Sequence, residues 1–425
     1  MAGALEGIRI LEFTEIIAGP YGGMLLADMG ADVIKIEPPW GDPWRHALPI
    51  EPGESKTFMS LNRGKRSLTL DLTKQEGRDV VHRLVVDADV VIINYRPDVS
   101  YNLSIDYETL SAINPRLVYC DNTAFGRKGP HSQRPGYDII AQALTGIMAS
   151  EDKIDDGVPQ QVNSTPVADF STALAIAWAV CAGLFHRERS GKGQKIETTL
   201  LGSALAVQPW RFMEVERTDT ESRAEFFETL KIMKDAGVPY EDTHGFYRQH
   251  FDAARGRTKH AYYRTYQAAD GVLAVGCLSD PLRKRMADVL GLRDIRFEPD
   301  YDMYSDETRE FNIRLNAQAE EKFRQRTVAE WLRILDEARV PAGPVRFVEE
   351  LVDDEQVVSN GLVVELEHSV VGKVKMVGPM LKMSETPLQP TQPSPALGQH
   401  TKDVLLQHGY TAAQLEQLRE LGVTL

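Results

Sequence analysis

Asp169 is the residue of this chain best placed to do chemistry. It closes the stretch STPVAD and opens the apolar run FSTALAIAWAVCAGLF, which continues into HRERSGKGQ and the strand-like KIETTL. Unpaired N–H groups in a first helical turn favour an anion by ~0.3–1 kcal/mol, and by up to about 2 when partly buried, whereas apolar neighbours push a carboxyl toward its neutral form. Even a rise of about two units from ~3.9 leaves the group mostly ionised at pH 7, so Asp169 is expected to be a usable nucleophile. Taken alone, the pattern favours a plain helix N-cap, because Asp is common there; no Glu or Gln three residues on completes a capping box.

Other polar groups fall where ligands bind. NRGKRSLTLDL brings Arg63, Lys65 and Arg66 just before a strand, and VIINYRPD brings Asn94, Tyr95 and Arg96 just after one. A Tyr ring or guanidinium can lie on an adenine face, and the cations can meet phosphate oxygens, although each basic residue taken singly suits a solvated surface. The Gly/Pro-rich GRKGPHSQRPGYDIIAQALTG delivers Arg134 and Tyr137 to the start of a helix, and loops of this kind often carry function. AGPYGGMLLADMGADVIKIE fails the G-x-G-x-x-G spacing, so its glycines suit close helix–sheet packing and nicotinamide cofactors are disfavoured. SGKGQKI lacks the GKS/T ending of a phosphate loop and suits a helix stop and turn. The ten histidines show no metal-ligand spacing, and no G-x-S-x-G elbow occurs, so neither a metal site nor a serine hydrolase is supported.

The elements that must position these groups are β-rich runs at IRILEF, DVIKIE, SLTLDL, VVIINY and LVYCDN, separated mostly by helix-compatible stretches. This alternation predicts an α/β fold with a mostly parallel sheet, whose ligands lie beyond the carboxyl ends of the strands. Glu15 to Pro20, Asp71 to Lys74 and Asn94 to Pro97 are then the first suspects. From about Arg211 to Tyr266 the composition turns charged and aromatic, which suggests a linker and solvated helices; DGVLAVGCLSD begins a smaller domain and VPAGPV resets the chain. The expected division is a large domain from 1–210 and 340–425, a linker over 211–224 and a small α+β domain over 225–335. Thr386 to Pro395 is expected to be an extended surface strap.

Bulk properties narrow the classes further. The chain has 425 residues, more than one hydrophobic core usually organises, and ordinary globular composition. Its net charge of −14 opposes nucleic acid and anionic membranes as partners. Three scattered cysteines, Cys120, Cys181 and Cys277, fit a reducing cytoplasm, and MAGALEGIRILEF lacks the features of a secretory leader. The apolar run Thr172 to Phe185 is shorter than the ~20 residues a bilayer requires and is expected to be a core helix rather than a membrane span.

Taken in order, LEFTEIIAGPYGGMLLADMGADVIKIEPP, GKRSLTLDL, INYRPD, GPHSQRPGYDIIAQALTG, VADFSTALAIAWAV, RSGKGQKIETTLL, VPAGPV and LGQHTKDVLLQHG resemble the family III CoA-transferases, the group that includes formyl-CoA transferase and carnitine CoA-transferase. The resemblance implies a Rossmann-like large domain built from both termini, a small domain from the middle, and an interlocked homodimer of subunits threaded through one another. It also implies CoA transfer from an acyl-CoA to a free carboxylic acid, with CoA as substrate and no permanently bound cofactor. Asp169 matches the family's catalytic aspartate and Tyr137 a tyrosine beside the reacting thioester. Ile16, Leu70, Asn94 and Tyr95 match residues along the CoA, Arg96 fits a frequent basic residue, and Arg134 joins this binding set from its loop. Asn102 stands where an arginine is common, and the family's glycine-rich covering loop has no clear counterpart between Gly237 and Tyr262. The same fold hosts α-methylacyl-CoA racemases, which need a histidine where this loop reads PGYD; a phenol near pKa ~10 is a poor proton relay at neutral pH. A hydrolase variant and a non-enzymatic nucleotide sensor that would not need Asp169 are the remaining alternatives.

Overall fold

The computed structural model describes residues 3–151, 153–162, 164–254, 260–302, 305–388 and 390–425. It divides into two compact units, one formed by Met1–Arg217 with Val352–Leu425 and the other by Thr218–Leu351.

The first unit is built on a six-stranded sheet. Its strands are β1 (Arg9–Phe13), β2 (Asp32–Glu37), β3 (Lys65–Thr69), β4 (Val90–Ile93), β5 (Val118–Thr123) and β6 (Gln194–Thr199), in the order β6-β5-β4-β1-β2-β3. Every neighbouring pair is parallel, with Ile10 opposite both Val33 and Val90. Burial of both faces explains why the central strand β4 reads VVII with no polar residue. Successive residues serve opposite sides: Leu11, Phe13, Val91 and Ile93 join one core, and Ile10, Val33, Val90 and Ile92 join the other. Helix α1 (Ala18–Asp28) follows β1, and α2 (Gln75–Val85) follows β3. Near the carboxyl edge lie α3 (Asp138–Thr145), α4 (Val167–Ser190) and α5 (Leu200–Ala206).

Helix α4 is longer than the apolar run suggested. At 24 residues it is long and apolar enough to cross a membrane by length and composition, and about half of its apolar window is buried inside the protein. It packs on α1, where a Cβ on Gly22 would come within 2.9 Å of Ile176 Cγ2. The expected role of the glycines in helix–sheet packing is thus joined by a helix–helix one. At its far end Arg187 pairs with Asp89 at 2.7 Å.

Charges fill the centre of the sheet as well as its rim. Lys65 Nζ lies 2.8 Å from Glu12 Oε2, Lys35 Nζ lies 3.4 Å from Glu12 Oε1 and 3.0 Å from Asp42 Oδ2, and Arg45 Nε donates to Glu37 Oε2 at 2.7 Å. All these side chains are buried, and each charge is matched, the condition under which an interior ion pair is tolerated. This overturns the expectation that Arg63, Lys65 and Arg66 wait for phosphates. Arg63 grips Asp28 at 2.9 and 2.6 Å, Lys65 serves Glu12, and Arg66 grips Asp32 at 2.8 and 2.5 Å. The reason is their position at the amino end of β3, opposite the ligand-binding edge.

The carboxyl-terminal segment is tied to the same sheet. Arg63 donates to Val377 O at 2.5 Å, in the hairpin formed by the antiparallel strands Val363–His368 and Gly372–Val377. The strap is more than surface cover: Gly64 N–H donates to Gln392 O at 3.0 Å, Arg45 donates to Pro395 O at 3.1 Å, and Ser394 is buried. Gln389 within it lies outside the described residues.

The second unit carries an antiparallel sheet, Tyr263–Gln267, Val272–Gly276 and Ala342–Pro344, covered by helices Asp280–Leu290, Asp306–Phe323 and Val328–Glu337. Two sequence expectations change here. The linker expected over 211–224 is helical from Glu216, within Glu216–Asp235, where Phe226 is buried against Phe246 and Phe251. VPAGPV belongs to the small sheet rather than to the large domain, because Ala342–Pro344 pairs with Val272–Gly276 as an edge strand, where proline's missing N–H costs no ladder bond.

Candidate active site

The strand order reverses direction beside β1, whose neighbours are β2 on one side and β4 on the other, and such a switch opens a crevice at the carboxyl ends. A cleft of about 520 Å³ lies there. Strand β3 ends at Thr69, earlier than SLTLDL suggested, so Leu70 to Thr73 belong to the cleft wall rather than to the strand. Ile16, Leu70, Asn94, Tyr95, Arg96, Tyr137 and Asp169 all line this one cavity, although they are drawn from segments spread over 150 residues of chain. Arg134 does not: its exposed guanidinium donates to His131 Nδ1 at 3.1 Å, and it is absent from the cleft lining.

Asp169 is not the cap of its helix. Pro166 occupies the N-cap position, and Asp169 sits in the first turn with only 8% of its surface exposed. The cap is supplied from another helix. Asp138, the first residue of α3, accepts the N–H of Ala168 at 2.7 Å and of Asp169 at 3.2 Å through Oδ1. Its Oδ2 accepts from Gln142, whose Oε1 in turn accepts the N–H of Val162 at 2.9 Å. Because Asp138 has taken the N–H groups that would have stabilised an anion, the helix end does little for Asp169. Burial first, and the charge of Asp138 second, push the Asp169 carboxyl up to about 7. The sequence-based expectation of a mostly ionised group at pH 7 is therefore corrected: near neutrality about half of it is protonated.

Tyr137 stands at the N-cap position of α3, lines the cleft and is 64% exposed. Gly136 permits this placement, since a Cβ there would lie 2.6 Å from the Ala124 Cβ. Tyr95 is half-buried, packs on the core and has its phenol pushed up by burial and then by Glu15, so it remains a neutral donor. Arg96 is exposed and forms an ion pair with Asp98 at 3.1 Å. Asn94 turns its amide on the backbone opposite: Oδ1 accepts the Glu15 N–H at 3.0 Å, and Nδ2 donates to Glu15 O at 2.8 Å.

Sequence reasoning missed Asp138, whereas Glu15 falls within the Glu15 to Pro20 segment expected at the ligand-binding edge. The one available signal for Asp138 was its spacing of four from Gln142, which puts both on one face of a helix. Glu15 lies in the cleft with its carboxyl pushed up by burial and then by Asp42. With Glu37 and Asp71 it makes the lining more acidic than a site for an anionic ligand requires.

The arrangement offers a buried, incompletely ionised carboxylate and a phenol lining one crevice with apolar and amide-bearing walls. Known proteins share this framework. The CoA-transferase family III profile matches residues 5–401. The succinate–glutarate CoA-transferase of Agrobacterium fabrum is 32% identical over 414 residues, covering 94% of each chain. The formyl-CoA:oxalate CoA-transferase of Bradyrhizobium sp. (strain ORS 278) is 30% identical over 426 residues, covering 99% of this chain and 97% of the other. A CAIB/BAIF family protein from Brucella suis superposes with a TM-score of 0.73 at 29% identity, over 96% of this chain and all of the other. A match along nearly the whole sequence, on a matching fold, leaves one assignment: the chain belongs to CoA-transferase family III.

Proposed function

We propose that the protein moves CoA from an acyl-CoA thioester to a free carboxylic acid by covalent catalysis on Asp169. The observation that carries this reading is the Asp169 carboxyl itself, 8% exposed, in the wall of the cleft that also holds Ile16, Leu70, Asn94 and Tyr95. A desolvated carboxylate is a stronger nucleophile than a hydrated one, and its raised proton affinity marks that desolvation. Ionised Asp169 attacks the thioester carbonyl, forming a mixed anhydride and releasing CoA thiolate. The thiolate attacks the aspartyl carbonyl, which forms aspartyl-CoA and releases the first acid. The second acid attacks aspartyl-CoA, giving a new anhydride and thiolate, and the thiolate then takes the new acyl group and frees Asp169. Tyr137, which lines the cleft, is assigned to the carbonyl oxygen on which charge develops.

The binding set is Ile16, Leu70, Tyr95 and Arg96, with Asn94 behind them. The acceptor acid is left open, since the relatives act on succinate, glutarate and oxalate by name. An interlocked homodimer in the cytoplasm completes the proposal; Leu174, Trp178 and Phe185, exposed on α4, support a contact between copies. Incubation with succinyl-CoA and a panel of free acids tests the activity, and hydroxylamine trapping during turnover tests the intermediate. Hydroxamate at residue 169, and loss of exchange in Asp169→Ala and Asp169→Asn, are expected. An unmodified Asp169 during continuing exchange refutes the mechanism.

A further inference from the structure

Ile16 lines the cleft in a backbone conformation that its side chain disfavours. Its φ is 72°, and the other non-glycine residues with positive φ among those described, Leu48, Ser104, Asp156 and Arg339, are not branched at Cβ. A branched side chain in this region is an outlier that persists only where the surroundings over-determine it. Here they do. The Asn94 amide bonds both backbone groups of Glu15, at 3.0 and 2.8 Å. Asp42 Oδ1 accepts the Ile16 N–H at 3.4 Å and the Trp44 N–H at 2.9 Å. Lys35 Nζ, fully buried, donates to Thr14 O at 2.7 Å and pairs with Asp42 Oδ2 at 3.0 Å. Three side chains from β2, the loop after it and the end of β4 thus hold the backbone of three consecutive residues. Asn94 is itself fixed by its N–H to Phe13 O at 3.4 Å, which extends the β1–β4 ladder.

We propose that Asn94, Asp42 and Lys35 form a clamp that keeps the Glu15–Ile16 turn left-handed so that Ile16 meets the acyl-CoA, which makes Asn94 a positioning residue rather than a ligand contact. The inference rests on the reading of the cleft as the acyl-CoA site. Its physical basis is preorganisation: a turn already held in the bound shape loses no freedom when the ligand arrives. Lys35 suits the task because Asp42 and Glu12 outweigh its burial and push its ammonium up to about 12, so it stays charged.

The clamp is needed only because residue 16 carries a branched Cβ; glycine adopts positive φ without that cost. This gives a double-mutant cycle. Succinyl-CoA affinity by calorimetry, KM and Tm are measured for the native protein, Asn94→Ala, Ile16→Gly and the double variant, with Asn94→Asp keeping the acceptor for the Glu15 N–H. Asn94→Ala is expected to weaken succinyl-CoA binding about tenfold in the native background, chiefly through KM, but less than about twofold in the Ile16→Gly background, with Asn94→Asp between. A penalty of equal size in both backgrounds would show direct ligand contact and overturn the proposal, as would no penalty in either. A native protein that binds no succinyl-CoA defeats the reading of the cleft and with it the presentation of Ile16. The Tm cycle, run without ligand, still decides whether the clamp holds the turn: additive Tm losses reject it.

Discussion

At the scale of the residue, Asp169 is held against its own charge. Its carboxyl sits at about 7 in the folded protein against 3.8 as the ordinary value, and burial with Asp138 causes the difference. If Asp169 must be ionised to attack, kcat/KM for succinyl-CoA should rise with pH along a limb centred near 7 and level off above it. The same shift opposes folding. A carboxyl whose folded pKa is raised takes up protons on folding, so stability declines as pH climbs from about 4 to 7 and the penalty is complete above 7. Asp169→Asn removes the charge, so it should abolish exchange yet stabilise the fold at pH 8 by at most about 4 kcal/mol, seen as a higher Tm, and lose that advantage below about pH 4. Thermal unfolding at both pH values checks the sign; equal Tm values at pH 8 would mean that burial does not burden this group. An acid at the mouth of an apolar helix was legible in the sequence. The direction of its shift was not, because it depends on Asp138, thirty-one positions away, intercepting the N–H groups.

At the scale of the element, the amino end of α4 is capped by α3 rather than by its own flank. Asp138→Asn retains an acceptor for Ala168 and Asp169 but turns an amide donor toward the Gln142 donor, leaving a buried polar group unpaired. That should cost about 1–3 kcal/mol in chemical denaturation. Because the variant also removes the second cause of the Asp169 shift, the acid limb of the rate profile should move to lower pH. A limb that stays in place would show that burial alone sets it. The strands of the parallel sheet were legible from their apolar runs, and their boundaries erred only at the ends. LeuThrLeu in SLTLDL looked like one continuous strand, but pairing with β2 runs out at Glu37↔Thr69 and releases Leu70 to the cleft. Propensity carries no information about where a partner strand ends.

At the scale of the whole molecule, charges of one short segment play unequal parts. Lys65 lies at the centre of the buried lattice, whereas the Arg66–Asp32 pair is partly exposed. Lys65→Ala leaves the buried Glu12 with only the 3.4 Å contact to Lys35 and the Thr14 hydroxyl and should destabilise by about 3–5 kcal/mol, while Arg66→Ala should cost no more than about 1. Guanidinium titration of both variants checks this, and similar midpoints would show that the lattice adds nothing at Glu12. The lattice also joins distant parts of the chain. Arg45, deep within it, reaches Pro395 O at 3.1 Å, so the strap closes over charges laid down near the amino terminus.

The sequence by itself determined the parallel α/β plan, the crevice at the strand ends and an acid at the mouth of a long apolar helix, because apolar period, turn chemistry and helix-end position are local properties. Only the tertiary structure decided which cations are free, what caps α4, how readily Asp169 ionises and why Ile16 is strained. Each of those depends on a partner remote in the chain, and the energy of a charge or a strained turn is set by the neighbours that folding brings to it.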